Sequence, residues 1–264
     1  MSQPKTADEL TFWEHLDVLR GCLLRIIAVT VTCAIVVFFF KEEVFSVLLA
    51  PKGSGFITFR LLNDVSGRLL PTGVGVPDFQ VTLINTGLAQ QFLIHMQVSA
   101  YVGVICASPY ILYVLFHFIS PALYARERRY AFRIVGSGYV MFFLGVALNY
   151  FLIFPLTIRF LGTYQVTADV ENIITLQSYV ETLVMMTLMM GVVFEIPVLC
   201  WLLAKMGLLT APMMTRYRRH SIIAILVVAA IITPTSDAFT LMLVALPIWL
   251  LYEGSIWLVR LSTK

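Results

Sequence analysis

A short basic segment between two long apolar runs contains the residues whose types most clearly suggest a chemical function. Residues 118–129 read Phe-Ile-Ser-Pro-Ala-Leu-Tyr-Ala-Arg-Glu-Arg-Arg, so that Glu127 lies among Arg126, Arg128 and Arg129. A carboxylate held at such a helix end can receive an incoming basic peptide through charge-assisted hydrogen bonds. The same arginine cluster is also typical of a plain signal that keeps a membrane loop inside the cell. Charge alone leaves both interpretations open.

A second carboxylate, Glu195, interrupts the otherwise apolar stretch 185–203. An ionised and unpaired carboxylate is costly in hydrocarbon, so we expect Glu195 to face a cavity, to have a partner or to be protonated. It can form a neutral hydrogen bond between helices, or it can be the proton site of an ion-coupled transporter of small solutes. Pro197 follows two residues later and predicts a bend beside Glu195, since proline removes a backbone donor.

The remaining polar residues do not form a catalytic or metal-binding pattern. All four cysteines fall in apolar runs without metal-ligand spacing and are interpreted as small hydrophobic residues: Cys22, Cys33, Cys106 and Cys200. Two Gly-Ser-Gly sequences have no accompanying His/Asp constellation that would indicate a serine nucleophile. We therefore expect no enzymatic activity, no metal and no cofactor.

The composition is that of a membrane protein with several spans. The chain is 59% hydrophobic and 12% charged, with a mean hydropathy of +0.89. A net charge of only +3 does not indicate nucleic-acid binding. Apolar runs of about 17–25 residues are long enough to cross a bilayer as helices.

These runs predict an all-α membrane protein, one domain over residues 1–264, with six transmembrane helices. The predicted spans are about 22–40, 86–119, 134–154, 178–203, 221–232 and 239–259. Pro109 should kink the second span, and Pro155 should end the third. The fifth run is short, so we expect it to form a short hairpin with the sixth that thins the bilayer locally. The polar segment 41–84 contains turn formers and amphipathic pieces, which predict a structured external cap.

Basic residues set the orientation. Five of the 18 lie in predicted outer segments (Lys41, Lys52, Arg60, Arg68 and Arg159), which leaves 13 on the inner side. Both termini are therefore expected in the cytoplasm. An inverted or parallel internal repeat is not apparent, which weakens the transporter hypothesis.

The order Phe, Pro, Ala-Leu-Tyr and Glu-Arg-Arg in 118–129 resembles the first cytoplasmic loop of the TatC family, the signal-peptide receptors of the twin-arginine translocase. The resemblance covers essentially the whole chain. The sequence around Glu195 and Pro197 is similar to the family's Phe-Glu-x-Pro, and 233–237 to its Thr-Pro-x-Asp turn. Pro51 matches the proline that ends the family's first external helix.

The N-terminal segment 15–23 is similar to the family motif His-Leu-x-Glu-Leu-Arg-x-Arg-Leu, with two departures. Val18 and Cys22 stand where the motif has a glutamate and an arginine. Glu14 precedes Val18 by four residues and shares its helix face, whereas Asp17 points about 100° away. Glu14 is the substitute that we expect for the motif's acid, with Asp17 as the second candidate. The alternative is a solvated charged face.

The resemblance implies the receptor and core subunit of a machine that exports folded proteins using the proton motive force, in the bacterial cytoplasmic membrane. It implies a signal-peptide site made of Phe118, Leu123, Tyr124, Glu127, Arg128, Glu14 and Asp17. It also implies that Glu195 and Asp237 form an intramembrane site for docking single-span TatA/TatB-type subunits, although Asp237 can instead cap the last helix. Self-association and contact with membrane lipids are further expectations.

Overall fold

The computed structural model consists almost entirely of helices. It describes residues 12–69, 81–119, 131–165, 167, 172–235 and 237–262. Within these ranges the chain forms eleven α-helices: α1 (Phe12–Phe39), α2 (Lys41–Leu49), α3 (Ile57–Leu69), α4 (Gln90–Ile119), α5 (Ala131–Leu148), α6 (Phe154–Thr163), α7 (Leu176–Val193), α8 (Ile196–Lys205), α9 (Ala211–Arg216), α10 (Arg218–Ile232) and α11 (Ala238–Ser262). A 3-10 turn (Ala50–Lys52) follows α2, and a π-helical turn (Asn149–Ile153) joins α5 to α6. Strands β1 (Leu83–Ile84) and β2 (Ile174–Thr175) pair in parallel.

Five described segments are long and apolar enough to cross a membrane: Leu16–Phe39, Gln90–Phe118, Val135–Thr163, Leu176–Lys205 and Ala238–Ser262. They correspond to five of the six predicted spans. The remaining predicted span lies in α10, whose 15 residues extend about 22 Å, less than a hydrocarbon core of about 30 Å. α10 packs against α11, and Arg218 and Glu253 join the two helices through an ion pair of 2.6 Å. The count of six spans and the side of each terminus stay predictions.

The prediction that Pro155 ends the third span is wrong. The helix passes through the π-helical turn and continues as α6 to Thr163. The carbonyl of Phe151 would accept from residue 155 in an α-helix, but proline has no N–H. The Thr58 hydroxyl donates a hydrogen bond to that carbonyl instead. The extra residue in the turn and this outside donor together allow the helix to continue.

The first two predicted spans each belong to a long helix. α1 begins at Phe12, so the N-terminal segment 15–23 and the first span belong to the same helix. Pro109 lies inside α4, which continues on both sides of it.

The polar segment 41–84 contains ordered elements, as its amphipathic pieces predicted, although residues 70–80 lie outside the described part of the chain. The 3-10 turn packs against α6 and α3 packs against the π-helical turn, where Phe56 stacks on Phe151 with 6.0 Å between ring centroids. β1 then ties this segment to β2, which leads directly into α7. Its position outside the membrane stays a prediction.

The fourth span, α7 with α8, is the central element. In its apolar window 61% of the residues are buried, against 11% in α1, which packs mainly along α4. Tyr179, Met186 and Met190 of α7 are almost completely inaccessible. Tyr179 also donates a hydrogen bond of 3.1 Å to the carbonyl of Leu48 in α2. The central span therefore contacts both the bundle and the polar segment above it.

Glycines allow α5 and α7 to approach closely. A Cβ added at Gly145 would lie 2.5 Å from the backbone carbonyl oxygen of Met190, and one at Gly191 would lie 2.7 Å from the ring of Phe142. Distances this short require a backbone or a large ring to move. This helix pair therefore depends on the absence of side chains at both positions, as is common where helices pack in membranes.

We predict that Gly145→Ala lowers the stability of the protein by about 1–3 kcal/mol, the usual cost of overpacking. Gly136→Ala, in the same helix, is the matched control because nothing lies within 4 Å of a Cβ there. The control should be neutral or slightly stabilising, since alanine is favoured over glycine in helices. Thermal unfolding in detergent measures both. Equal melting temperatures for the two variants would contradict the close contact.

Candidate functional site

Glu195 lies where the fourth span changes direction. Pro197 lacks the N–H that would bond to the carbonyl of Val193, and α7 ends there. Phe194 and Glu195 form a turn in which the Glu195 N–H donates to the Val192 carbonyl at 3.1 Å. α8 then starts, with the Leu199 N–H donating to the Glu195 carbonyl at 2.9 Å. The turn is the bend that the proline predicted, and Glu195 is the residue immediately before α8.

The carboxyl group of Glu195 points toward α5 at a glycine. A Cβ on Gly138 would lie 3.0 Å from Glu195 Oε2 and 3.4 Å from the Phe116 ring of α4. The side chain is buried, with 8% of its surface accessible. Gly138 thus leaves the space that the carboxyl group occupies between α4, α5 and α8.

Among the described residues, Glu195 Oε1 is buried and has no hydrogen-bond partner. A buried acceptor without a donor is unfavourable, by about 1–3 kcal/mol in proteins, and more if the group is ionised in an apolar environment. The site is therefore suited to accept a hydrogen bond from a polar side chain of another membrane segment. A neutral carboxyl group there could also donate one.

Glu195 lies at the same level as the end of α4. It follows the start of α7 by 19 residues, which corresponds to roughly 28 Å of helix. α8 continues for ten further residues to Lys205, within the same apolar segment Leu176–Lys205. Phe116, which borders the site, is three residues before the end of α4 at Ile119. Glu195 is thus at the level where α4 leads into the basic loop.

Asp237 lies elsewhere and caps α11. Its Oδ1 accepts a hydrogen bond of 2.7 Å from the Thr240 N–H, three residues into the chain that follows. The adjoining Thr235 lines a cavity with Ser178, at the start of α7, whereas Glu195 is 17 residues further on, roughly 25 Å along the helix. The structure therefore does not bring Asp237 and Glu195 together.

The hydrogen bonds also affect the acidity of Asp237. Burial alone raises the pKa of this carboxyl group, but the hydrogen bonds that it accepts, led by the one from the Thr240 N–H, outweigh burial and lower the pKa below its usual value. The ionised form is thus the one that stabilises the helix end.

We predict that Asp237→Ala costs about 0.5–2 kcal/mol of stability near neutral pH and that Asp237→Asn costs less, because asparagine is also a good helix cap. Since folding lowers the pKa of Asp237, the contribution of the charge is present above the unfolded-state pKa and is lost as the pH falls through the folded-state value. Asp64→Ala, which removes an exposed carboxylate of α3, is the control. Melting temperatures of these variants at neutral and acidic pH test this. A pH-independent difference between wild type and Asp237→Asn would contradict it.

The predicted signal-peptide residues fall at one end of the α1–α4 pair. α1 and α4 run antiparallel: His95, early in α4, stacks on Phe38 at the end of α1, with 4.1 Å between ring centroids. The first turns of α1, with Glu14 and the exposed Asp17, therefore lie at the same end as Phe118, which is half-buried in the last turn of α4. Leu123, Tyr124, Glu127 and Arg128 lie outside the described residues.

One polar pair was not predicted. Asn149 is completely buried in the π-helical turn, and its Nδ2 donates a hydrogen bond of 2.8 Å to Thr187 Oγ1 of α7. Thr187 in turn donates to the Leu183 carbonyl at 2.6 Å. The sequence feature that could have indicated this pair is an asparagine inside an apolar run, a few residues before a proline. The pair joins the third and fourth spans where the π-helical turn leaves the regular helix.

Comparison with known proteins identifies relatives along nearly the whole chain. The family model "TatC: Sec-independent protein translocase protein (TatC)" matches residues 14–247. A Sec-independent protein translocase protein TatC of Blattabacterium sp. (subspecies Periplaneta americana, strain BPLAN) is 31% identical over 95% of both chains. The protein of the same description in Aquifex aeolicus (strain VF5) is also 31% identical over 95% of both chains.

A solved structure agrees with these sequence matches. The crystal structure of a twin arginine translocase receptor, TatC, superposes with a TM-score of 0.76 at 30% sequence identity. The match covers 95% of this chain and 100% of the other.

Proposed function

Because the chain belongs to the TatC family, a non-enzymatic family of Sec-independent protein translocase subunits, we propose that it is the receptor and core of a twin-arginine translocase. In this proposal it lies in the bacterial cytoplasmic membrane with both termini in the cytoplasm. It binds the signal peptides of folded cargo proteins and docks single-span TatA/TatB-type subunits, and the proton motive force drives export. Copies of the chain associate within the receptor complex.

The observation that carries the docking part of the proposal is the carboxyl group of Glu195. It is buried at the turn between α7 and α8, faces the gap at Gly138, and its Oε1 has no partner among the described residues. A polar side chain on an incoming single-span helix would supply the missing hydrogen bond. Interhelical hydrogen bonds of this kind contribute about 0.6–2 kcal/mol in membranes. The site therefore favours one membrane orientation and depth of the partner.

The signal-peptide part of the proposal rests on the family and on the position of the loop. The carboxylate of Glu127 pairs with the arginines of the signal peptide, and Glu14 takes the place of the acid that the family motif has at Val18, with Asp17 as the second candidate. Phe118, Leu123, Tyr124 and Arg128 contact the peptide around Glu127. The antiparallel packing of α1 on α4 supports this grouping, since it places the start of α1 beside the end of α4.

We predict that Glu127→Gln weakens binding of a twin-arginine signal peptide by about 1.5–3 kcal/mol, roughly ten- to a hundredfold, because a charge-assisted contact is lost. Glu181→Gln is the matched control. Glu181 is an exposed carboxylate near the start of α7, at the end of the bundle away from Phe118. Peptide binding to the purified full-length protein measures both variants. Normal peptide binding by Glu127→Gln would contradict this role and would indicate that the loop only sets the membrane topology.

A transporter of small solutes that uses Glu195 as a proton site is the competing hypothesis. The two roles differ in what the side chain must do. A docking site needs a hydrogen-bonding group of the right size, which glutamine provides, whereas a proton site needs a group that titrates. Substitutions at Glu195 and in the space beside it therefore separate the two hypotheses.

We predict that Glu195→Gln reduces but does not abolish partner crosslinking at α8 and protein export, and that Glu195→Ala reduces both further. Gly138→Leu should also block docking although it leaves the carboxyl group in place, because a side chain at this position meets Glu195 and Phe116. Gly136→Leu is the control, since nothing lies within 4 Å of a Cβ there. Complete loss of export in both Glu195 variants, with unchanged crosslinks, would contradict docking and favour a titrating role.

A further inference from the structure

Buried oxygen atoms without a hydrogen-bond partner are concentrated at the turn that joins α10 to α11. Among the described residues, seven buried side-chain oxygens have no partner, and four of them belong to Thr157, Thr235, Asp237 and Thr240. The side chains of Thr157 and Thr240 are almost completely inaccessible, with 1% and 0% of their surfaces exposed. Each such oxygen is unfavourable by itself. Their concentration at one place therefore points to a ligand that they share.

The packing of α6 against the start of α11 brings Thr157 to this turn. Phe160 of α6 stacks on Phe239 of α11, with 4.4 Å between ring centroids. Thr157 precedes Phe160 by three residues, so the two side chains lie on the same face of α6. Thr157 also lines a cavity of about 190 Å³ together with Thr235. The site thus combines one face of α6 with the residues of the turn.

Asp237 supplies the charge of the site. Its Oδ1 accepts the hydrogen bond from the Thr240 N–H, whereas its Oδ2 is one of the four oxygens without a partner. The hydroxyl groups of Thr235 and Thr240 both lie near this carboxylate and contribute to the lowering of its pKa. The carboxylate is therefore ionised at neutral pH, with one uncommitted oxygen and two hydroxyl groups beside it.

The described surroundings do not neutralise this charge. Within the described part of the chain, no basic side chain forms an ion pair with Asp237. The basic residue of α6, Arg159, is directed toward α3, with its guanidinium carbon 5.9 Å from the centre of the Phe59 ring. The end of α10 at Ile232 and the start of α11 contribute about −0.5 and +0.5 elementary charge, which cancel. The full negative charge of Asp237 therefore remains and favours a cation.

The ligand set selects a monovalent ion. Carboxylate and hydroxyl oxygens are ligands of hard cations, and helix C-terminal ends coordinate Na⁺ in membrane proteins. Calcium sites use several carboxylates, whereas this site has one. Among the described residues, no group of three or more His, Cys, Asp or Glu side chains could hold a metal ion. Since a water molecule occupies about 30 Å³, the adjoining cavity has room for several waters around the ion.

We propose that a monovalent cation such as Na⁺ binds at the oxygens of four side chains: Thr157, Thr235, Asp237 and Thr240. Water in the adjoining cavity completes its coordination. The ion joins α6 to the turn between α10 and α11, so it fixes this helix pair against the end of the third span. The site involves neither Glu195 nor the loop 118–129, and its test is therefore independent of the proposed receptor function.

The test uses the purified full-length protein in detergent, with sodium chloride or choline chloride at the same ionic strength. We expect Na⁺ to raise the melting temperature by about 5 °C in a saturable manner, because a ligand of the folded state stabilises it. Binding of radioactive sodium, measured by scintillation proximity, should saturate at one ion per chain. Equal melting temperatures in the two salts, without sodium binding, would overturn the proposal and leave water as the occupant. Displacement of sodium by a hundredfold lower concentration of Ca²⁺ would overturn the assignment to a monovalent ion.

Two variants test the location of the ion. Asp237→Asn removes the charge but keeps a good helix cap, so it should fold and lose the effect of Na⁺ on the melting temperature. Thr157→Val replaces a hydroxyl by a methyl group of similar size and should lower the affinity for Na⁺ about tenfold. Thr163→Val is the control in the same helix, because the exposed Thr163 hydroxyl already donates to the Arg159 carbonyl at 2.7 Å. A full Na⁺ effect in Asp237→Asn, or equal affinities in the two threonine variants, would overturn this location.

Discussion

The close contact between α5 and α7 sets the geometry of the candidate site. Three successive contacts along the two helices follow one antiparallel register: Gly145 against Met190, Phe142 against Gly191, and Gly138 against Glu195. Each contact requires a small residue on one helix, and the first two fix the distance between the axes. Because the third follows in the same register, the carboxyl group of Glu195 meets a glycine. The location of the buried carboxyl group is thus a consequence of helix packing several ångströms away.

Hydrocarbon imposes a second requirement, since every backbone polar group must find a partner inside the protein. The third span meets it in an unusual way, because a side chain from the polar segment, Thr58, bonds to the carbonyl that Pro155 leaves without its helical donor. The same π-helical turn directs the Asn149 side chain inward, where it donates a hydrogen bond to Thr187. The segment between the first two spans therefore supplies a hydrogen bond that the third span needs.

Features that depend on one stretch of chain could be predicted from the sequence. Long apolar runs predicted the five described segments that are long and apolar enough to cross a membrane. A carboxylate in such a run with a nearby proline identified both Glu195 and the turn beside it. Features that depend on tertiary contacts could not. The role of Gly138 depends on Glu195, which lies opposite it in the fold. Pro155 does not end its helix because Thr58, 93 residues before Phe151, donates a hydrogen bond to the Phe151 carbonyl. The structure also places Asp237 and Glu195 apart, which the sequence alone does not give because it does not fix how the ends of different helices align.

The two parts of the proposed receptor function adjoin each other in the structure. Phe116 borders the Glu195 site, and Phe118, two residues later, begins the proposed signal-peptide site in the last turn of α4. A peptide that shifts this helix end would therefore change the packing around Gly138, where the partner subunit is proposed to dock. Such coupling requires no long pathway through the bundle, because the two sites share one helical turn. Coupling between two sites requires an element that both sites contact, and the end of α4 is the described element that contains both Phe116 and Phe118.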